Sequence, residues 1–222
     1  GSVLGPLLFL IYVNDMANSS RLLRFILFAD DTNIFYSDKN ISLVFDILNR
    51  ELQNLSLWFK TNKLSLNIKK TNYIIFGNKR GLNQKNKENY TEDELVLQID
   101  SNEIKRVKSS KFLGVILDEK LNWQDHINLV VNKVSKTLGV INKMKHVLPP
   151  SILLMLYNTL ILPHLQYCNI IWASTCPTYL HKLIVLQNRA IRTISLAPYR
   201  AHAPDLYKKH NQLTLEDINK FQ

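Results

Sequence analysis

The sequence predicts an α+β chain, with strands and one long helix ahead of residue 118 and helices behind it. Three observations predict this. Up to Leu117, short apolar and aromatic runs alternate with polar turns, interrupted by one helical stretch. After Leu117, apolar residues recur at three- and four-residue steps. The third is composition: 222 residues at 46% apolar suffice for one large domain or two small ones, and exclude disorder over most of the length.

Leu7 to Met16 reads as a short buried helix, with strand left open for so short an apolar run. Arg21 to Phe28 reads as a strand, Asp30-Asp31 as a polar tip, and Asn33 to Tyr36 as its return, which together make a hairpin. From Ser42 the period changes: Val44, Leu48, Leu52, Leu55 and Phe59 mark an amphipathic helix. Asn72 to Phe76 is a short strand, and Gly77 to Glu94 is a polar, Asn/Lys-rich exposed loop. Leu95 to Ile99, Ile104 to Val107 and Phe112 to Leu117 are further short strands. Ile127, Val130, Val134, Leu138 and Ile141 then form one apolar helical stripe. Lys133, Lys136 and Lys143 fall on a different face of that helix, within a sector of about 80°. Pro149-Pro150 breaks the chain ahead of a second helix over Ile152 to Leu162. Leu180, Leu183, Ile184, Ala190, Ile191 and Ile194 line a third. There is no internal repeat.

No uninterrupted apolar run approaches the ~18 residues that a membrane helix needs, and the start carries no secretory signal. Only Cys168 and Cys176 are present, which excludes a disulfide framework and points to a reducing compartment. The 28 Lys+Arg against 18 Asp+Glu leave a net charge of +10 and a pI near 9.5, which favours a polyanionic partner, although many basic proteins bind none. Position 1 is Gly, and an apolar segment follows Gly1-Ser2 without a strand, turn or cap ahead of it. A leading Gly-Ser is also a common cloning scar, but a fold that begins in its own core reads as a piece of a longer chain.

Asp30-Asp31 is the sharpest chemical candidate. Two adjacent carboxylates on a hairpin tip concentrate negative charge on a rigid support, which suits Mg²⁺, a cation that takes hard oxygen ligands. Asp is also a favoured turn residue, so the pair alone leaves a plain turn open. His164, Cys168, Cys176 and His181 can be written as a zinc site, but their spacing is looser than Cys/His zinc sites use, and structural roles fit better. Trp58, Trp123 and Trp172 sit at apolar positions and read as core.

The company of Asp30-Asp31 is more specific. Phe28-Ala29-Asp30-Asp31 resembles the second aspartate motif of reverse transcriptases, in the form typical of non-LTR retrotransposons. Gly1-Ser2-Val3-Leu4-Gly5-Pro6-Leu7-Leu8-Phe9 resembles the end of the preceding Pro-Gln-Gly-Ser motif. Leu64-Ser65-Leu66-Asn67-Ile68-Lys69-Lys70-Thr71 resembles the motif after the long palm helix, and Lys111-Phe112-Leu113-Gly114-Val115 resembles the primer grip. Trp123-Gln124-Asp125-His126-Ile127 and Leu162-Pro163-His164-Leu165-Gln166-Tyr167-Cys168 resemble the thumb. The segments stand in the family order across nearly the whole chain, and the jockey-like branch of LINE-type elements is the nearest match.

The resemblance implies the C-terminal part of a polymerase palm over residues 1–118, primer grip included, and an all-helical thumb over 119–222. It implies RNA-directed DNA synthesis from deoxynucleoside triphosphates, extending a DNA primer on an RNA template with two Mg²⁺. Asp30 carries over as a direct metal ligand and Asp31 as its less direct partner. Lys70 matches a lysine that protonates the leaving pyrophosphate, although a solvated Lys explains it too. Gly1 and Ser2 would approach nucleotide and template. Phe112, Leu113 and Gly114 would hold the primer end, though an apolar strand before a tight bend is an equal account. Lys133, Lys136 and Lys143 would contact the nucleic-acid backbone, with an ordinary solvated face as the alternative.

The resemblance also implies missing parts: fingers, a Pro-Gln ahead of Gly1, a third carboxylate from an earlier strand and an endonuclease that nicks the genomic target. The isolated chain is therefore expected to be inactive. The expected setting is intracellular, in nucleus or cytoplasm as a ribonucleoprotein, with no membrane. Alternatives are a non-catalytic retroelement remnant that at most binds nucleic acid, and a group II intron-type reverse transcriptase.

Overall fold

Helix and hairpin signals in the sequence resolve, in a computed structural model that describes residues 3–77 and 95–222, into mixed helices and small sheets. They are distributed over two compact units, Gly1–Val107 and Lys108–Gln222.

In the first unit, α1 (Leu4–Val13) and a 3-10 turn (Met16–Ser19) precede the hairpin β1 (Arg24–Phe28) and β2 (Asp31–Phe35). The long helix α2 (Ile41–Thr61) follows, started by the Asn40 side chain accepting the Ser42 N–H at 3.0 Å. Short strands complete the unit: β3 (Asn72–Tyr73), β4 (Gln98–Ile99), β5 (Asn102–Glu103) and β6 (Lys105–Arg106). β3 pairs β6 in parallel, and β4 pairs β5 antiparallel. The core gathers Val13, Met16, Phe45, Leu52, Leu55, Leu97, Ile99 and Ile104. Asn49 clasps helix to strand: its Nδ2 donates to the Val96 carbonyl at 3.0 Å and its Oδ1 accepts the Gln98 N–H at 2.9 Å.

The second unit opens on the hairpin β7 (Ser109–Phe112) and β8 (Val115–Asp118). The helices are α3 (Gln124–Met144), α4 (Pro150–Leu160), α5 (Leu162–Gln166), α6 (Asn169–Trp172), α7 (Pro177–Ile194), α8 (Ala203–Lys209) and α9 (Leu215–Phe221). The expected stripe Ile127, Val130, Val134, Leu138 and Ile141 is buried along its whole length against α4 and α7. Trp172 is wholly buried. So is Gln187, which orders three elements at once. Its Nε2 donates to the Tyr157 hydroxyl and the Leu213 carbonyl, both at 3.0 Å, and its Oε1 accepts the Leu215 N–H at 2.8 Å. Among the described residues, no helix is long and apolar enough to cross a membrane.

Several expectations change. The first apolar segment is helical but not buried. Leu8 is 61% and Ile11 65% exposed, because only Val13 and the partly buried Phe9 turn into the core of the unit. The strand expected over 72–76 stops at Tyr73, where its two-residue pairing with β6 ends. The strand expected over 112–117 is two strands, because Leu113-Gly114 turns the chain between them. Apart from these changes, the compact units divide at Val107/Lys108. The reason is that β7–β8 packs on α3: His126 Nδ1 accepts the Ile116 N–H at 3.3 Å, and the Asp118 carboxylate accepts the Trp123 N–H at 2.9 Å. Of the loop expected over 77–94, positions 78–94 lie outside the described residues, as do Gly1 and Ser2.

Candidate active-site tip and nucleic-acid face

The hairpin that carries the Asp pair is built by alternation. Phe25 and Leu27 point into the core of the first unit, while Arg24, Ile26 and Phe28 face outward. The register pairs Phe28 with Asp31, which leaves Ala29 and Asp30 as a two-residue turn. Opposed residues share a face, so Asp31 lies on the same exposed side as Phe28, which is 61% exposed. Ala29 adopts φ 52°, a left-handed conformation that costs a residue bearing a Cβ about 1 kcal/mol. The tip is rigid from behind: Phe25, Leu27 and Ile34 pack against the buried cluster of α2 and the 3-10 turn.

Both carboxylates are therefore presented side by side to solvent, one in the turn and one on the strand face. Among the described residues, neither is ion-paired. Nor, among the described residues, does any group of three or more His, Cys, Asp or Glu come together to hold a metal. A donor set of two exposed carboxylates suits Mg²⁺, which is held by one or two carboxylates and takes its remaining ligands from water and substrate phosphates. It does not suit a closed protein cage.

Lys70 lies after α2 in a turn whose backbone is closed by its own N–H donating to the Asn67 carbonyl at 3.0 Å. Its side chain is exposed and, among the described residues, makes no ion pair with Asp30 or Asp31.

In the second unit, Phe112 pairs with Val115, and the two residues between them, Leu113 (φ 43°) and Gly114 (φ 88°), form the turn. Two successive positive φ values are the signature of a type I′ hairpin turn. Tyr167 lies against this turn. Its hydroxyl donates to the Leu113 carbonyl at 2.5 Å, and a Cβ added to Gly114 would stand 3.1 Å from the Tyr167 Cε1. Reading along the chain finds Tyr167 only as part of the thumb-like segment Leu162–Cys168. Its partner is 54 residues away, and nothing local announces the contact.

Lys133, Lys136 and Lys143 are exposed on α3, on a different face from its buried apolar stripe. Burial holds the His126 and His164 imidazoles below the usual histidine range, and the positive charge of Lys133 adds to the effect on both. Arg192 is committed differently: its Nε donates to the Ala201 carbonyl at 2.8 Å. Counted over the sequence, the second unit carries 14 Lys+Arg against 6 Asp+Glu, a net +8 of the chain's +10. The basic character is thus concentrated in the helical unit.

Comparison with known proteins bears on the family of the chain. Residues 1–117, the Asp30-Asp31 hairpin among them, match the family described as reverse transcriptase (RNA-dependent DNA polymerase). A probable RNA-directed DNA polymerase from transposon X-element of Drosophila melanogaster is 24% identical over 229 residues, covering 99% of this chain and 24% of that protein. The RNA-directed DNA polymerases from mobile element jockey are 24% identical in Drosophila melanogaster and 26% in Drosophila funebris, each over 93% of this chain and 22% of its own length. The chain spans about a quarter of the length of the relatives it matches. No solved structure matches. With more than half of its residues inside the family match and its two carboxylates on the hairpin tip there, the chain belongs to the reverse transcriptase (RNA-dependent DNA polymerase) family.

Proposed function

We propose that the chain is the C-terminal part of the palm and the thumb of an RNA-directed DNA polymerase of a jockey-like mobile element. Its reaction is the extension of a DNA primer on an RNA template from deoxynucleoside triphosphates. The observation that carries the reading is the Asp30–Asp31 pair at the tip of the β1–β2 hairpin, one acid in its two-residue turn and one on the adjoining strand, inside the region matched by the family.

Asp30 and Asp31 would hold Mg²⁺ by their carboxylate oxygens. Bound there with substrate phosphates, the ions supply activation of the 3′-hydroxyl and stabilisation of the leaving pyrophosphate. The residues of the chain orient and neutralise. By the family resemblance Asp30, in the turn, would be the more direct ligand, and Asp31, on the strand face, its less direct partner. Lys70, on its exposed turn, donates a proton or a positive charge to the leaving group. Gly1 and Ser2 belong to the nucleotide- and template-facing segment. Phe112, Leu113 and Gly114 hold the primer end. Lys133, Lys136 and Lys143 bind backbone phosphates of the template–primer duplex without reading its sequence. The setting is an intracellular ribonucleoprotein, with the fingers and an endonuclease supplied by the rest of the parent protein.

The deciding experiment is primer extension on an RNA template by the intact parent protein carrying Asp30→Ala. Loss of incorporation supports the reading. Near-normal incorporation removes Asp30 from the site.

A further inference from the structure

The Leu113–Gly114 turn has an unusual composition for its geometry. Type I′ turns favour Asn, Asp or Gly at both central positions, because each takes φ > 0. Here the first is Leu, at φ 43°, a conformation disfavoured by its Cβ. A contact from outside the hairpin can offset the cost of holding Leu113 in that conformation.

Tyr167 makes that contact as a tether. Its backbone is fixed on both sides: its N–H donates to the Pro163 carbonyl at 3.0 Å, and its carbonyl accepts the indole N–H of wholly buried Trp172 at 2.8 Å. At Tyr167 the chain leaves α5 in an extended conformation (ψ 116°), and Cys168 follows in the left-handed region at φ 51°. This break between α5 and α6 aims the phenol at the hairpin tip. The ring is 52% exposed, so it does little to fill a core; its close contacts at the tip are the Leu113 carbonyl and the Gly114 α-carbon side.

We infer that Tyr167 is a positioning residue for the Leu113–Gly114 turn, transmitting the fixed placement of Trp172 to the tip that holds the primer 3′ end. The second half of this inference rests on reading Phe112–Gly114 as the primer grip. The first half does not.

The test uses the 222-residue chain and its Tyr167→Phe variant, which keeps the ring against Gly114 and deletes only the donor. Two quantities are measured: amide hydrogen exchange across residues 111–116, and the ratio of affinities for a duplex with a recessed primer 3′ end and for a blunt duplex of equal length. The variant is expected to exchange about fivefold faster at the turn, the factor that one neutral hydrogen bond supplies, with unchanged protection at Val134 and Leu138 in the helical core. Its preference for the recessed end should fall by a similar factor. Unchanged exchange at the turn overturns the tether, whatever the binding does. Faster exchange with the end preference intact overturns the role in placing the primer. A wild-type chain with no end preference overturns the grip reading, and the primer-placing role with it. That result is distinct, because in the preceding case the wild type still discriminates.

Discussion

Phe28 and Asp31 are cross-strand partners at the mouth of a two-residue turn, so an exposed aromatic ring and a carboxylate lie on one face of the hairpin, with Asp30 in the turn beside them. This arrangement separates the two acids. One rides on a strand whose other side is packed into the core, and one stands at the apex. In the intact parent protein, Asp30→Ala is expected to lower nucleotide incorporation by at least about a hundredfold, the scale of losing one preorganised electrostatic group. Asp31→Ala is expected to cost less. Primer-extension rates at saturating Mg²⁺ check the order; a larger loss for Asp31 would reverse the assignment of the direct ligand.

The isolated chain is expected to incorporate no nucleotide with Mg²⁺ and a primed RNA template. Its tip offers two carboxylates, and among the described residues no third ligand-type side chain joins them. Template-directed products from the purified chain would refute this.

The helical unit concentrates the net charge, so duplex binding should follow counterion release. Each phosphate contact steepens the fall of log affinity with log salt by about 0.9. Changing Lys133, Lys136 and Lys143 together to Gln should flatten that slope by about 3 and weaken all duplex sequences alike. Fluorescence anisotropy over a salt series measures both. An unaltered slope would return the three lysines to an ordinary solvated face.

Gln187→Ala should destabilise the second unit by about 3 kcal/mol in urea titrations. The change strands the Tyr157 hydroxyl and the Leu215 N–H in the buried core and removes a partner from the Leu213 carbonyl. A loss below about 1 kcal/mol would mean that these groups find other partners on relaxation.

Stability should fall as the solution is made acidic through the histidine range. Burial lowers the folded-state pKa of His126, His164 and His210, so the unfolded chain takes up protons first as pH drops. The stabilisation is present above the unfolded-state value near 6.5 and is lost as pH falls from there toward the folded-state values. His126 also accepts the Ile116 N–H at Nδ1, which a protonated ring cannot do. Urea midpoints between pH 7.5 and pH 5 should therefore decline, and less steeply in His126→Gln. An equal slope in the variant would assign the effect to the other two rings.

How much of this was legible in the sequence follows from the range of each interaction. The Asp30-Asp31 hairpin was readable, since its pattern of apolar strands around a short polar tip is local and a two-residue turn needs no distant partner. The α3 stripe was readable for the same reason, as a helical period places Ile127 through Ile141 on one face wherever the helix docks. Exposure of α1 was not, because an all-apolar decapeptide states that it is buried somewhere but not against what.

By itself, then, the sequence determined the family, the tip hairpin and the long helices, the carboxylates at the tip and the lysines on a different face from the stripe. All of these rest on residue chemistry and spacings within a few turns of chain. Only the tertiary structure decided that Leu113 and Gly114 break an expected strand and rest on Tyr167, that Gln187 joins three elements, and that the chain divides at Val107/Lys108. Those contacts join positions tens of residues apart. Their free energy appears only when both partners are brought together, so no local pattern can announce them.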